Sequence, residues 1–326
     1  MTQEEESSLY KLFQISLTLS ILIFLNILFG PLVRATDSGL ACPDWPLCYG
    51  KVLPPAEFRI WMEVGHRFYS GIISLVLLYE VIYIFKTESL REKFGSLAIS
   101  SLLVVVIQIG LGALTVTKLL DPTTVNLHLL NAVLFLLLTV NICLKANVCL
   151  QTKNDELAIF GWGDIFSSKG MLLFIIFFLT YFQLYLGGRV SSHYAGLACP
   201  DWPTCKGFWL PPFMDELTRF HVEHRYMGYF ILILVFSNLL VAYYKKYDRR
   251  TKFYSKLAFV VCTLQIFLGV MNVLLKLPTL LTALHTGVGV ALLTTIYIAL
   301  YYRISSRGSK EKVDLPISLE SEAELA

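Results

Sequence analysis

The chain has 326 residues, of which 56% are hydrophobic and only 16% are charged. Soluble domains are about 45 to 50% apolar and about 25% charged, so this composition excludes a soluble globular protein and predicts a polytopic membrane protein. The formal net charge of +3 reflects charges placed for membrane topology and implies no nucleic-acid partner.

Apolar runs of about 20 residues, the length that crosses the lipid hydrocarbon, recur eight times along the chain. They predict transmembrane helices that cover approximately residues 11–33, 61–85, 95–117, 124–144, 170–188, 221–244, 254–275 and 279–302. The predicted fold class is therefore an all-α integral membrane protein.

A loop motif between the first and second predicted helices recurs between the fifth and sixth. Cys-Pro-Asp-Trp-Pro-Leu-Cys occupies residues 42–48 and Cys-Pro-Asp-Trp-Pro-Thr-Cys occupies residues 199–205, an offset of 157 residues (199 − 42). Such an internal repeat indicates a duplicated unit. Because each unit has four spans, both units insert in the same orientation, which makes the tandem repeat parallel. We therefore predict two pseudo-symmetric four-helix bundles.

The repeat also predicts the domain boundaries. Residues 1–150 form the N-terminal bundle, residues 151–169 form a cytoplasmic linker, and residues 170–307 form the C-terminal bundle. Residues 308–326 are polar and acidic, and we expect them to be a disordered cytoplasmic tail.

Lysine and arginine are distributed unevenly between the two sides of the predicted membrane. The termini and the segments around residues 86–93, 145–169 and 245–256 carry 17 of the 27 basic residues. By the positive-inside rule the termini are cytoplasmic. The two cysteine loops then face the periplasmic or extracellular space, which is oxidising.

Four of the six histidines occupy matched positions within the predicted helices. His128 and His285 differ by 157 residues, and His66 and His224 differ by 158, because one residue is added in the preceding loop. Each lies a few residues inside the outer end of its helix, so at ~1.5 Å rise per residue all four share one layer. A single intramembrane histidine can merely hydrogen-bond a neighbouring helix, whereas four at matched depth favour ligand binding.

The second and fourth helices of an up-down-up-down bundle run in the same direction. His66 can therefore face His128, and His224 can face His285. Two imidazoles that project from facing helices are an arrangement that ligates haem iron from both faces. Zinc or copper fits less well, because each pair offers only two histidines and no nearby cysteine within the spans.

Two arginines adjoin this layer, and one further histidine lies outside it. Arg67 and Arg225 follow the first histidine of each pair, and their guanidinium groups are candidates for binding haem propionates. His193 lies in a loop and has no counterpart at the repeat offset, so we predict an ordinary solvated side chain.

The repeats differ one turn before the first histidine of each pair. Glu63 precedes His66 by three residues and shares its helix face, whereas the corresponding residue of the second repeat is His221. A carboxylate beside a haem pocket is a candidate proton acceptor or stabiliser of developing positive charge. The alternative is a surface acid whose carboxylate reaches the interface. The asymmetry predicts one reactive site and one cofactor site.

Two other residue pairs recur at the repeat offset within the third and seventh spans. They are Gln108 with Gln265 and Gly112 with Gly269. We predict that they serve close helix packing with amide hydrogen bonds between helices.

The two cysteines of each loop are six residues apart. Such a turn can bring the sulfur atoms together, and on the outer face the disulfides Cys42–Cys48 and Cys199–Cys205 are favoured over free thiols. Three roles stay open from the residues alone, namely a structural staple, a redox exchange with an external thiol or a haem, and a four-cysteine zinc site.

These motifs together closely resemble the heme A synthase family. The resemblance covers both repeats and is carried by the Gly-Leu-Ala-Cys-Pro-Asp-Trp-Pro-Leu-Cys loop, Glu63-Val-Gly-His66-Arg67, His128, the second-loop cysteines, His224-Arg225 and His285. It implies eight helices in two pseudo-equivalent bundles in the bacterial cytoplasmic (inner) membrane. Cysteines in the second loop are not universal in that family, so the resemblance does not say what they do.

The resemblance also implies a role for each site residue. His224 and His285 would ligate the iron of a haem b cofactor, His66 and His128 would mark the substrate site, and Glu63 would be the essential acid. The implied reaction oxidises a ring methyl of haem O to the formyl group of haem A, which terminal oxidases use, by successive hydroxylations and loss of water.

Two other functions remain open. A di-haem electron-transfer cytochrome b would use the four histidines without chemistry on the haem, and a membrane thiol oxidase would use the cysteine loops but leave the histidines idle. The expected partners are the haem O substrate, the lipid bilayer, a haem O synthase upstream and a membrane electron carrier. Self-association into a homo-oligomer is left open.

Overall fold

The computed structural model describes residues 1–152 and 170–305. Eight α-helices cross these ranges, and in chain order they are α1 (Gln3–Ala35), α2 (Phe58–Lys86), α3 (Glu88–Thr117), α4 (Pro122–Thr152), α5 (Met171–Ser192), α6 (Glu216–Tyr244), α7 (Arg249–Leu274) and α8 (Thr279–Ser305). A 3-10 turn at Ala195–Leu197 lies after α5. The described ranges contain no β-strand, only one isolated bridge in each cysteine loop.

All eight helices are long and apolar enough to cross a membrane. The predicted all-α membrane fold with eight spans is therefore confirmed. The helices extend beyond the apolar runs, because hydropathy marks the part that lies in lipid rather than the hydrogen-bonded ends. The N-terminal bundle was predicted to end at residue 150, and α4 continues to Thr152. Most of the predicted linker (153–169) and the predicted tail (308–326) lie outside the described residues.

Side-chain caps explain where several helices begin. At α1 the Thr2 hydroxyl accepts from the Glu5 backbone N–H and the Glu5 carboxylate accepts from the Thr2 N–H, so each residue satisfies a donor of the other. Asp215 accepts from the Thr218 N–H at the start of α6, and Asp248 caps α7 in the same way.

Each helix contacts its neighbours in an order that is the same in both halves. α1 packs on α2 and α4, and α3 packs on α2 and α4; α5 packs on α6 and α8, and α7 packs on α6 and α8. The halves meet where α1 contacts α8 and where α4 contacts α5. Two four-helix units would produce this pattern, and the division into two bundles stays a prediction that the pattern supports.

Two of the four helices at the junction are the most buried. α4 and α8 bury about half of their apolar windows, whereas α2, α3, α6 and α7 direct large apolar side chains outward, as expected for lipid-facing helices. Close approach at the junction depends on small residues. A β-carbon on Gly188 of α5 would lie 2.0 Å from Oδ1 of Asn126 on α4, and the Asn126 amide donates to the Tyr185 carbonyl at 3.1 Å.

Candidate functional site

The fold places the four matched histidines at one end of the helices. His66 and His224 are the ninth residues of α2 and α6, and His128 and His285 are the seventh residues of α4 and α8. The cysteine loops precede α2 and α6, so they lie at this same end. The predicted histidine layer therefore has equivalent positions in both halves.

The second histidine pair has the spacing of two ligands on one metal. The ring centroids of His224 and His285 are 6.3 Å apart and their planes are inclined at 77°. An imidazole nitrogen lies about 2 Å from a bound transition metal and its ring centre about 1 Å further, so two rings on opposite faces are about 6 Å apart. The observed separation fits a haem iron between them.

Unpartnered nitrogen atoms support the same reading. The Nδ1 atoms of His66, His224 and His285 are buried and have no hydrogen-bond partner within residues 1–152 and 170–305. Each of these imidazoles nevertheless keeps part of its surface accessible. Native proteins rarely leave buried polar atoms unpaired, and ligand-binding sites are one place where they do, so the histidines suit a group that binds between the helices.

The two histidines of the first pair, His66 and His128, have different kinds of neighbours. The amide nitrogen Nε2 of Gln108 is 3.3 Å from both ring nitrogens of His128, and the Asn131 amide donates to Gln108 Oε1 at 2.8 Å. His66 instead meets the edge of Phe29, with ring centroids 5.4 Å apart.

Each histidine of the layer also lies against a glycine of the preceding helix. A β-carbon added to Gly187 or Gly269 would lie 3.0 Å from Cε1 of His224 or His285, respectively. Gly112 was predicted to serve helix packing, and its added β-carbon would lie 3.3 Å from Cε1 of His128; the corresponding distance from Gly30 to His66 is 4.0 Å. Gly30 and Gly187 also differ by 157 residues, so the repeat offset could have identified this pair.

Glu63 is buried at the interface between α2 and the first cysteine loop. Its side chain is only 6% exposed. Oε2 accepts from the backbone N–H of Cys42 at 2.9 Å, and Oε1 lies 2.5 Å from Nη2 of Arg67. The alternative of a surface acid at this position is therefore wrong, because the loop covers the carboxylate.

The second half places a different group at the position that corresponds to Glu63. His221 is buried and its Nδ1–H donates to the carbonyl of Ala195 at 2.9 Å. The two halves thus attach the start of the loop to the helix by bonds of opposite polarity. A carboxylate accepts from the chain in the first half, whereas an imidazole donates to it in the second.

Both candidate propionate arginines bind their own cysteine loops. Arg225 donates through Nη1 to the carbonyls of Asp201 (2.9 Å) and Thr204 (2.8 Å) and through Nη2 to that of Cys199 (2.7 Å). Arg67 donates to the carbonyls of Asp44 (3.0 Å), Pro46 (3.3 Å) and Leu47 (2.7 Å). In this structure both guanidinium groups hold the loop against the helix, and propionate binding stays a prediction.

The cysteines pair within each loop. The Cys42–Cys48 sulfurs are 2.07 Å apart and the Cys199–Cys205 sulfurs are 2.03 Å apart, and all four residues are buried. The four sulfurs therefore do not converge on one zinc site. In the part of the chain that the structure describes, no group of three or more His, Cys, Asp or Glu residues could hold a metal ion.

An aspartate organises the turn inside each loop. The Asp44 carboxylate accepts from the backbone N–H groups of Tyr49 (2.6 Å) and Gly50 (2.8 Å), and these bonds, chiefly that from Gly50, lower the pKa of Asp44. Asp201 accepts from the Thr204 hydroxyl as well as from the equivalent N–H groups. The Thr204 hydroxyl is the main cause of a pKa for Asp201 well below the ordinary aspartate range.

His193 is less exposed than predicted. Its Nδ1 is 3.0 Å from the Arg189 carbonyl, and its ring packs edge-on against Phe220 with centroids 4.9 Å apart. The turn that ends α5 folds the side chain back onto α6, so the residue is half-buried rather than solvated.

Glu80 is a buried acid that the sequence analysis missed. It lies in α2, is 0% exposed, and accepts a short hydrogen bond from the Ser16 hydroxyl of α1. At the 158-residue offset that relates His66 to His224, its counterpart is Asn238, which is also buried. An ionisable residue within an apolar span was the available signal.

Comparisons with known proteins agree with these motifs. The family model for cytochrome oxidase assembly proteins, COX15-CtaA, matches residues 14–297. A heme A synthase of Shewanella oneidensis is 29% identical over 346 aligned positions, which cover 93% of this chain and 98% of that protein. Heme A synthases of Halalkalibacterium halodurans (82% of this chain, 88% of that protein) and Symbiobacterium thermophilum (68% and 72%) are also 29% identical.

Proposed function

Because the chain belongs to the COX15-CtaA family of cytochrome oxidase assembly proteins, we propose that it is a heme A synthase, a membrane oxidoreductase that converts haem O to haem A. The similarity to relatives of that name extends over most of the chain. The observation that carries the proposal is the doubled histidine layer with one buried acid, because it provides two haem positions that differ in their ability to accept a proton.

The C-terminal pair, His224 and His285, is proposed to hold the resident haem b. The ring separation of 6.3 Å, the buried unpartnered Nδ1 atoms and the accessible part of each ring support this assignment. When bound, a bis-histidine haem supplies one-electron transfer. The protein's own contribution is to hold the two imidazoles facing each other, each packed closely against a glycine of the neighbouring helix, Gly187 or Gly269.

The N-terminal pair, His66 and His128, is proposed to bind the substrate haem, and Glu63 to be the acid–base group beside it. The Cys42 N–H and Arg67 fix the two carboxylate oxygens of Glu63. A proton that arrives at Oε2 would make this oxygen a poorer acceptor and so weaken the hydrogen bond from the N–H of Cys42. Proton transfer at Glu63 is in this way coupled to the attachment of the first loop, which covers the site and limits the entry of water.

The cysteine loops are proposed to act as stapled covers. Burial of all four sulfurs against α2 and α6 supports the structural role, because a thiol reductant must reach a sulfur atom to exchange with it. We propose cytoplasmic termini, cysteine loops outside the cytoplasmic membrane, and partners that include a haem O synthase and a membrane electron carrier.

Replacement of Glu63 tests the proposal. Glu63→Gln keeps the size of the side chain but removes the acid, so we expect haem A formation to fall by about 100-fold or more, the usual contribution of a general acid or base. Haem b should stay bound, as judged by its optical spectrum. The matched control is Glu57→Gln, which changes an exposed acid just before α2 that makes no side-chain cap.

The assay is extraction and chromatography of the haems from the purified protein. Haem O or its hydroxylated form should accumulate in Glu63→Gln, and haem A should be found in wild type and in the control. A normal yield of haem A in Glu63→Gln would refute the role of this acid. Two haem b groups without haem O or haem A in wild type would favour the electron-transfer cytochrome instead.

A further inference from the structure

The four histidines of the layer are packed unequally against their neighbouring helices. A β-carbon added to Gly187 or Gly269 would be crowded, because it would lie only 3.0 Å from the imidazole Cε1 atom of His224 or His285, respectively. A β-carbon added to Gly30 would lie 4.0 Å from Cε1 of His66, which is an ordinary contact distance. The ring of His66 therefore has about 1 Å more clearance (4.0 − 3.0) than the rings of the second pair.

Within the first pair, the two rings also differ in their polar restraints. The His128 ring lies against the Gln108 amide, and Asn131 holds that amide in place. The Nδ1 of His66 has no hydrogen-bond partner in the described ranges, and the ring's lateral contact is the edge of Phe29. A ring held by an aromatic edge can rotate without breaking a hydrogen bond.

The second half lacks this arrangement. At the 157-residue offset Phe29 corresponds to Leu186 and Gly30 to Gly187, where the clearance has closed. The loosely packed histidine is thus confined to the pair proposed for the substrate. A resident cofactor requires two fixed ligands, whereas a substrate haem has to be released by both of its ligands in every turnover.

We propose that His66 is the mobile ligand of the substrate haem and swings into the space over Gly30 when that haem enters or leaves. This inference rests on the proposed function. Phe29 and Gly30 are then positioning residues, because they act through the imidazole and determine how far it moves. His128, His224 and His285 keep their positions during exchange.

Two variants on α1 change the release rate in opposite directions. In Gly30→Ala the new methyl fits the resting position but fills the space into which the ring moves, so we expect release of haem O to slow by about tenfold, equivalent to about 1.4 kcal/mol. Phe29→Leu introduces the residue found at position 186 and removes the aromatic contact, so release should quicken by about threefold or more.

The experiment measures transfer of haem O from the loaded, detergent-solubilised full-length protein to excess apomyoglobin, followed by the Soret absorbance. Both variants should keep the haem b content and midpoint potential of wild type. The matched control is Gly187→Ala, in which a β-carbon 3.0 Å from Cε1 of His224 should alter the haem b spectrum or potential.

A wild-type release rate in either α1 variant would overturn the inference, and so would altered haem b in Gly30→Ala with unaltered haem O release. If Gly30→Ala does not fold, Phe29→Leu decides the question alone. Failure of the wild-type protein to bind haem O at all would refute the proposed function, and with it this inference, so the two failures are distinguishable.

Discussion

Arg225→Lys tests whether the loop arginines anchor the cysteine loops or bind a haem propionate. Arg225 donates to three loop carbonyls at 2.7 to 2.9 Å. A lysine keeps the charge but lacks the planar fork, so we expect at least two of the three bonds to be lost. At about 1.5 kcal/mol each, the low end for a charged donor, this favours the detached loop by about 3 kcal/mol, or on the order of 100-fold.

The second disulfide reports detachment of the loop. Cys199 and Cys205 are 0% and 3% exposed, so a thiol reductant reaches them only when the loop leaves α6. The rate of reduction, measured by timed alkylation and peptide mass spectrometry, should rise by about 100-fold if the reductant acts on the open form. The Cys42–Cys48 disulfide, whose loop Arg67 still anchors, is an internal control in the same molecule.

The outcome separates the two roles of Arg225. A propionate contact depends mainly on the positive charge, which lysine retains, so that role predicts little change both in the rate of loop reduction and in the haem b midpoint potential. Reduction of Cys199–Cys205 at the wild-type rate in Arg225→Lys would refute the anchoring argument.

Three further predictions concern the fold. Glu80→Gln should leave the thermal midpoint in detergent close to wild type, because the amide oxygen still accepts from Ser16. Glu80→Ala should lower the free energy of unfolding by about 2 to 4 kcal/mol. Equal thermal midpoints for the two variants would contradict this prediction. Gly188→Ala should destabilise the protein by about 1 to 3 kcal/mol, and Asn126→Ala should restore most of it in the double mutant; no rescue would exclude their contact as the cause. The pKa of Asp201 is lowered on folding, so its carboxylate stabilises the loop at pH values above the ordinary pKa of 3.8. This stabilisation is lost as the pH falls through the folded pKa. Reduction of the Cys199–Cys205 disulfide by a phosphine should therefore accelerate in that acid range in wild type but not in Asp201→Asn.

The eight spans and the histidine layer could be predicted because both depend on periodic or repeated features of the sequence. Apolar length defines a span, and the 157-residue offset placed His128 and His285 at equal depth before any packing was known. The ends of the helices were less predictable, because α1 begins at the capping box of Thr2 and Glu5 rather than at the lipid boundary.

The partners of individual side chains could not be predicted in the same way. The charge of Arg67 is compatible with a propionate or with loop carbonyls, and only the folded loop shows three carbonyls within reach. The hydrogen-bond donor to the buried Glu80 is Ser16, which is 64 residues away in the sequence. Such contacts are set by which helices become neighbours, and hydropathy carries no information about that choice.

The N-terminal half has two buried acids that the C-terminal half lacks at the corresponding positions. At the 158-residue offset the two acids buried in α2, Glu63 and Glu80, correspond to neutral or basic residues of α6, His221 and Asn238. Burying a carboxyl group in a membrane protein is costly, so a duplicated structure would not keep two of them in one half for packing alone. Oxidation of a methyl to a formyl group releases protons as well as electrons, whereas a haem that only passes electrons needs no acid beside it. The chemistry is therefore expected in the half that holds Glu63, His66 and the clearance over Gly30.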